Sequence, residues 1–172
     1  MLTQSRLREL LDYDPSTGVF RWRAFASDYC RRVKIGDVAG GAVAPTGYKA
    51  VRVDKRDYYQ HRLAWLYVYG SFPPKGRYID HINCVKTDNR IENLRVVSQS
   101  EQNANSTRFN KTGFNGIHKN KRRWYAAIHK NGKKYKLGSF DSPEKASMAY
   151  RMAGYRLYGD RFKDAVYASQ NP

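Results

Sequence analysis

The sequence predicts an α+β protein built from two small modules. Three observations carry this. Short alternating segments and helices are separated by turn residues through the N-terminal part. A strand, polar loop, strand and capped helix follow one another between Arg77 and Asn105. Three strands and one amphipathic helix then fill the C-terminal part. A chain of 172 residues holds one ordinary domain or two small ones, so two compact modules are the upper limit.

In chain order, residues 3–12 read as a short helix with Leu7, Leu10 and Leu11 at helical spacing, ended by the turn Asp14-Pro15-Ser16-Thr17-Gly18. Residues 19–23 then read as a strand. After a Gly-rich stretch at 36–47, residues 48–53 and 57–60 alternate like a hairpin around the turn at 54–56. Residues 61–70 form a compact helix closed by Gly70, and Pro73-Pro74 forbid its continuation. The segments 77–82 and 93–98 bracket the polar loop Asn83 to Glu92. Ser98 followed three residues on by Glu101 is a capping-box signature for a helix beginning at Gln99.

Residues 106–113 are polar and aperiodic, which marks them as a linker. Beyond it, 116–120, 123–130 and 133–140 read as strands, the last two joined at Asn131-Gly132, a strong hairpin signal. Ser142-Pro143-Glu144 opens a helix with Ala146, Ala149, Tyr150, Ala153 and Leu157 on one face and Gly159 at its end. The expected division is thus residues 1–105, a linker at 106–113, and residues 114–172.

Composition narrows the partner. Thirty-two Lys and Arg against 15 Asp and Glu give a formal charge of +17, a field that attracts a polyanion before any specific contact forms. Nucleic acid is the first candidate. An anionic membrane would call for a basic amphipathic helix or a long apolar span, and the most apolar stretch, Leu63 to Tyr69, is far too short. The N-terminus lacks the apolar segment of a signal peptide, so a cytoplasmic location is expected. Cys30 and Cys84 have no C-x-x-C partner, so they read as reduced thiols and no structural zinc is expected. Fourteen Tyr, 7 Phe and 3 Trp supply enough aromatic bulk for two small cores despite the charge.

The chemistry concentrates in YIDHINCVKTDNRIENLRVVSQSEQNAN, residues 78–105. Neighbouring strand side chains point to opposite faces, so the pair Asp80-His81 can share one site only at a strand end or bulge. The segment closely resembles the HNH (ββα-metal) nucleases, especially phage-type homing endonucleases, and the resemblance extends upstream to HRLAWLYVYG and LLDYDPSTGVFRW. It implies a ββα-metal core with an N-terminal strand and helix extension. It also implies hydrolysis of DNA phosphodiester bonds with Mg²⁺ or Mn²⁺. On this resemblance Asp80 is a metal ligand and His81 the general base. Asn93 braces the loop and orients the imidazole. The last ligand falls on the helix after the second strand, where register points to Gln102 and residue type to Asn103. The two sit about 100° apart around a helix, so both cannot face one metal. If neither ligates, the site binds DNA without cutting it. His61 and Arg62 could contact phosphate or simply anchor their helix.

Residues 116–159 resemble the apetala-type (ethylene-response factor) DNA-binding domain through GI before the first strand, WYAAI, LGSF and SPEKASMAY. This implies a three-stranded antiparallel sheet packed on one helix, with Trp124 in the core and the other face laid in the major groove. That face would carry His118, Asn120, Arg122, Arg123, His129, Lys134 and Lys136. The expected protein is a DNA endonuclease of a homing or phage-competition kind acting on double-stranded DNA, more readily monomeric than stably dimeric. Its alternative is a non-catalytic DNA-binding regulator with a degenerate HNH site.

Overall fold

A computed structural model describes residues 2–24, 33–105 and 114–163. The expected linker at 106–113, Cys30 and the last nine residues lie outside the described residues. The chain clusters into two compact units, residues 1–96 and 97–172.

The first unit opens with α1 (Gln4–Leu10), whose N-cap Thr3 accepts a hydrogen bond from the Arg6 amide, and which buries Leu7 and Leu10. The helix ends two residues before its expected end. Leu11 to Asp14 form strand β1 with alternating burial, and pair antiparallel with β2 (Val19–Trp22), Leu11 opposite Trp22 and Tyr13 opposite Phe20. Leu11 continues the helical leucine spacing and also starts a period-two pattern, and the β2 partner decides between them. Pairing buries Leu11 and Tyr13 together, with Tyr13 stacked on Phe20 at 4.6 Å between ring centroids.

The Gly-rich segment runs beside β2, since the Trp22 amide donates to Asp37 O at 2.9 Å and the Ala39 amide to Phe20 O at 2.8 Å. Next come the hairpin β3 (Ala50–Val53) with β4 (Arg56–Tyr59) and then α2 (Gln60–Tyr69), which stops at Gly70 in the left-handed conformation. Leu7, Leu10, Leu11, Phe20, Val51, Val53, Leu63 and Leu66 form the core, each at most 2% exposed. Strands β5 (Arg77–His81) and β6 (Leu94–Ser98) pair across a loop that ends in a short 3-10 turn at Ile91–Asn93.

In the second unit α3 (Gln99–Ala104) carries the predicted capping box between Ser98 and Glu101. A three-stranded antiparallel sheet follows, β7 (Ile117–Asn120), β8 (Arg123–Lys130) and β9 (Lys133–Phe140), in that spatial order. Asn131 and Gly132 both adopt positive φ at the β8–β9 turn, as the Asn-Gly pair foretells. Helix α4 (Pro143–Tyr158) is capped by Ser142 and covers one sheet face. Its fully buried positions are Ala146, Tyr150, Gly154 and Tyr158, with Ala149, Ala153 and Leu157 flanking at intermediate exposure. No helix among the described residues is long and apolar enough to cross a membrane.

Candidate active site and candidate nucleic-acid face

His81 is the last residue of β5. This strand end is where the sequence required a break in alternation for Asp80 and His81 to serve one site. Asp80 reaches Arg95 across the β5–β6 pair, with Oδ2 at 3.2 Å from Arg95 Nε and both side chains under a fifth exposed. His81 is only 4% exposed and its ring packs edge-on against His61 at 5.3 Å between centroids. Tyr48 completes the wall at 4.9 Å from His61 and 5.9 Å from His81.

The loop after β5 is held by its own amides. Asn93 Oδ1 accepts from the Asn83 amide at 2.9 Å, and Asn93 Nδ2 donates to Asn83 Oδ1 at 2.9 Å and to Asp88 O at 2.8 Å. Asp88 receives both Arg90 Nε and an Arg90 terminal nitrogen at 2.9 and 2.8 Å, and these bonds hold its carboxyl down near about 2. Asn93 thus makes three hydrogen bonds within the loop.

The imidazole bonds a different amide. His81 Nε2 lies 3.2 Å from Asn89 Oδ1 in a buried contact, and Asn89 is itself 2% exposed. Asn89 Nδ2 donates to Gln60 Oε1 at 3.1 Å, and Gln60 Nε2 donates to Ala39 O and Gly40 O at 2.7 and 3.0 Å. The Tyr13 hydroxyl donates to Asn89 O at 2.7 Å. Gly40 fits here because it sits at φ +70°, and a Cβ would stand 2.2 Å from Ala50 O. Gln60 and Asn89 did not emerge from the sequence. Asn89 lies inside the segment 78–105 that carries the resemblance and Gln60 directly precedes HRLAWLYVYG, but neither was singled out.

His61, at the start of α2, is 8% exposed, and its Nδ1 is buried without a hydrogen-bond partner among the described residues. Burial, then the neighbouring His81 and Arg62, pushes its pKa from 6.5 down to about 3. At neutral pH its ring is therefore uncharged and packs as an aromatic wall against Tyr48 and His81. As pH falls below 6.5 the unfolded chain takes up a proton that folded His61 refuses until about 3, so stability is lost in that window. The loss from this residue approaches about 1.4 kcal/mol per pH unit. Urea denaturation of His61→Phe should show a shallower loss of stability between pH 6 and 4 than the parent. Parallel slopes would contradict this account of His61.

In the second unit the two amides that sequence left as alternatives differ. Gln102 Oε1 is buried and has no hydrogen-bond partner among the described residues, whereas Asn103 is exposed and its Oδ1 already accepts from Gln99 Nε2 at 2.8 Å. Among the described residues no group of three or more His, Cys, Asp or Glu is arranged to hold a metal.

The sheet register sorts the candidate nucleic-acid residues. His118 lies opposite Tyr125 and Asn120 opposite Arg123, while Lys136 pairs with Ala127 and Lys134 with His129. Directly opposed residues share a face, so His118, Asn120, Arg123, His129, Lys134 and Lys136 lie on the face away from α4. The register shift between Ala126 and Ala127 leaves its extra residue, Leu137, on β9, so alternation along β8 is uninterrupted. Arg122 lies in the β7–β8 turn, and all seven are exposed. Trp124 belongs to the opposite face, packed with Ile117, Ala126 and Ala146. Arg123 reaches Ser139 O at 2.9 Å, and the His118 ring stacks on Tyr125 at 5.5 Å. No Asp or Glu occurs between Ile117 and Phe140, so the field of this face is uniformly positive.

Known proteins resemble this chain over the same segment. A family model described as HNH endonuclease matches residues 58–104, a span containing Gln60, His61, Asp80, His81, Asn89, Asn93 and Gln102. An uncharacterized HNH endonuclease of Acanthamoeba polyphaga mimivirus is 29% identical over 101 residues, covering 58% of this chain and 53% of that protein. Protein 3.8 of Escherichia phage T7 is 31% identical over 108 residues, covering 60% of this chain and 83% of the phage protein. The chain thus spans about half the length of the mimivirus relative. No solved structure matches.

Proposed function

Because this chain belongs to the HNH endonuclease family, we propose that it is a divalent-metal-dependent endonuclease that hydrolyses phosphodiester bonds in double-stranded DNA. The observation that carries the reading is the strand-end pair Asp80-His81, with the carboxylate turned to Arg95 and the imidazole buried and hydrogen-bonded to Asn89. In this reading His81 removes the proton of the attacking water, and the neutral His61 and Tyr48 rings keep the imidazole from turning. Asn93 keeps the loop after His81 in one conformation. Asp80 offers a hard oxygen donor to Mg²⁺ or Mn²⁺, which when bound would stabilise charge on the cleaved phosphate. Further ligands would come from amide oxygens, phosphate and water.

Of the two α3 amides, Gln102 carries the unused buried acceptor, and we assign the ligand role to it over Asn103. Replacing each in turn tests the assignment. Gln102→Ala should raise the Mg²⁺ concentration for half-maximal cleavage by about ten-fold or more, and Asn103→Ala should leave it near the parent value. The reverse order would hand the role to Asn103.

The second unit's sheet and α4 fit an apetala-type reader, and its positive face would supply affinity and position on the duplex. The working division is a nuclease module through residue 105, a linker at 106–113 and a reader from 114. The viral relatives favour a mobile or viral setting, either homing of a genetic element or competition between phage genomes.

A further inference from the structure

The hydrogen bonds behind His81 form a chain whose polarity is fixed from its far end. Ala39 O and Gly40 O can only accept, so the Gln60 side-chain atom between them is the amide nitrogen. The other Gln60 atom is therefore its oxygen, and the Asn89 atom facing it must be a nitrogen. Thr87 O, another acceptor, faces that same Asn89 nitrogen at 3.4 Å. Two independent carbonyl sources thus assign the Asn89 amide the same way. Asn89 is left with its oxygen toward the imidazole, and an amide oxygen can only accept. His81 Nε2 must then carry the hydrogen, which leaves Nδ1 with the ring's lone pair.

We propose that Gln60 and Asn89 are positioning residues that select the tautomer of His81, passing the orientation of the Ala39 and Gly40 carbonyls through two amides to the ring. The inference rests on His81 being the base, and it adds which nitrogen takes the proton from water and why. All members lie in the first unit, and Asn89 and Gln60 are 2 and 3% exposed, so water does not compete for these amides. An amide cannot invert inside this chain without placing oxygen against oxygen. A backbone carbonyl 41 or 42 residues upstream of His81 thereby decides where its proton sits.

The test reads the ring itself. Full-length protein with ¹⁵N-labelled histidine is examined by long-range proton–nitrogen correlation at pH 8, without DNA or metal, and His81 is identified by the signals absent from His81→Ala. The parent should show His81 protonated at Nε2. Gln60→Leu leaves Asn89 beside the ring with only the long 3.4 Å contact to Thr87 O to orient its amide, so the amide turns more readily and both ring nitrogens should move toward averaged shifts. Asn89→Leu should do the same more completely. Single-turnover cleavage should fall on the order of ten-fold in either variant while DNA affinity holds. A parent ring protonated at Nδ1 would overturn the proposal even if no variant folded. So would a Gln60→Leu spectrum identical to the parent's, because a merely space-filling Gln60 predicts that result. A protein that shows the Nε2-protonated ring and its loss in Gln60→Leu but never cuts DNA would retain the relay and discard the nuclease reading.

Discussion

His81→Ala should cut DNA between a hundred-fold and ten-thousand-fold more slowly than the parent, the range a positioned general base contributes. Its affinity for the same DNA should change by no more than about three-fold, because most of the binding charge lies elsewhere in the chain. The expectation follows from placement. His81 stands at the end of β5, 4% exposed, with its ring between His61 and the Asn89 amide. Removing the ring takes away the proposed proton acceptor and leaves the hydrogen bonds that Asn93 makes within the loop. Plasmid cleavage rates and a mobility-shift titration on one substrate measure the two quantities separately. Equal loss of cleavage and binding would mean that His81 supports the fold rather than the chemistry.

Gly18→Ala should destabilise the first unit by about 2 kcal/mol or more and cost cleavage as well. Gly18 closes the β1–β2 turn at φ +72°, where an L side chain is strained. A Cβ there would stand 2.5 Å from both Arg90 N and the Asn89 carbonyl carbon, and these backbone atoms cannot swing aside. The Ile91 amide also bonds Pro15 O at 3.1 Å, so the turn and the segment 89–91 are fastened together. Displacing one displaces the amide that holds His81. Urea denaturation would report the stability loss, and unchanged stability with unchanged cleavage would show that the turn is not a buttress.

What sequence revealed and what it concealed divide along distance in the chain. The Asp80-His81 pair, the Ser98-Glu101 capping box, the Asn131-Gly132 hairpin and the Ser142-Pro143 helix start are local signals, and each stands where it was expected. The end of α1 was not legible, because Leu11 satisfies helical and strand spacing alike until Trp22 is known to lie opposite it. Gln60 and Asn89 escaped notice for the same reason. Gln60 is tied to carbonyls 20 and 21 residues away and to Asn89 29 residues away, and no spacing rule relates an amide to a partner in another loop. On α4 the apolar spacing gave the right face but not its centre, since Gly154 is buried there under Phe162 and carries no apolar side chain to announce it. The difference between Gln102 and Asn103 was likewise closed to sequence, because the Asn103 amide oxygen accepts from Gln99 whereas that of Gln102 is buried without a hydrogen-bond partner among the described residues.

The most direct measurement incubates the full-length protein with supercoiled plasmid and with phage genomic DNA, in Mg²⁺ and in EDTA, on substrates it is first shown to retain. The account predicts discrete nicked or linear products in Mg²⁺ and none in EDTA. Firm retention of the DNA with no cutting in either Mg²⁺ or Mn²⁺ would contradict it and leave a DNA-binding regulator built on an HNH frame.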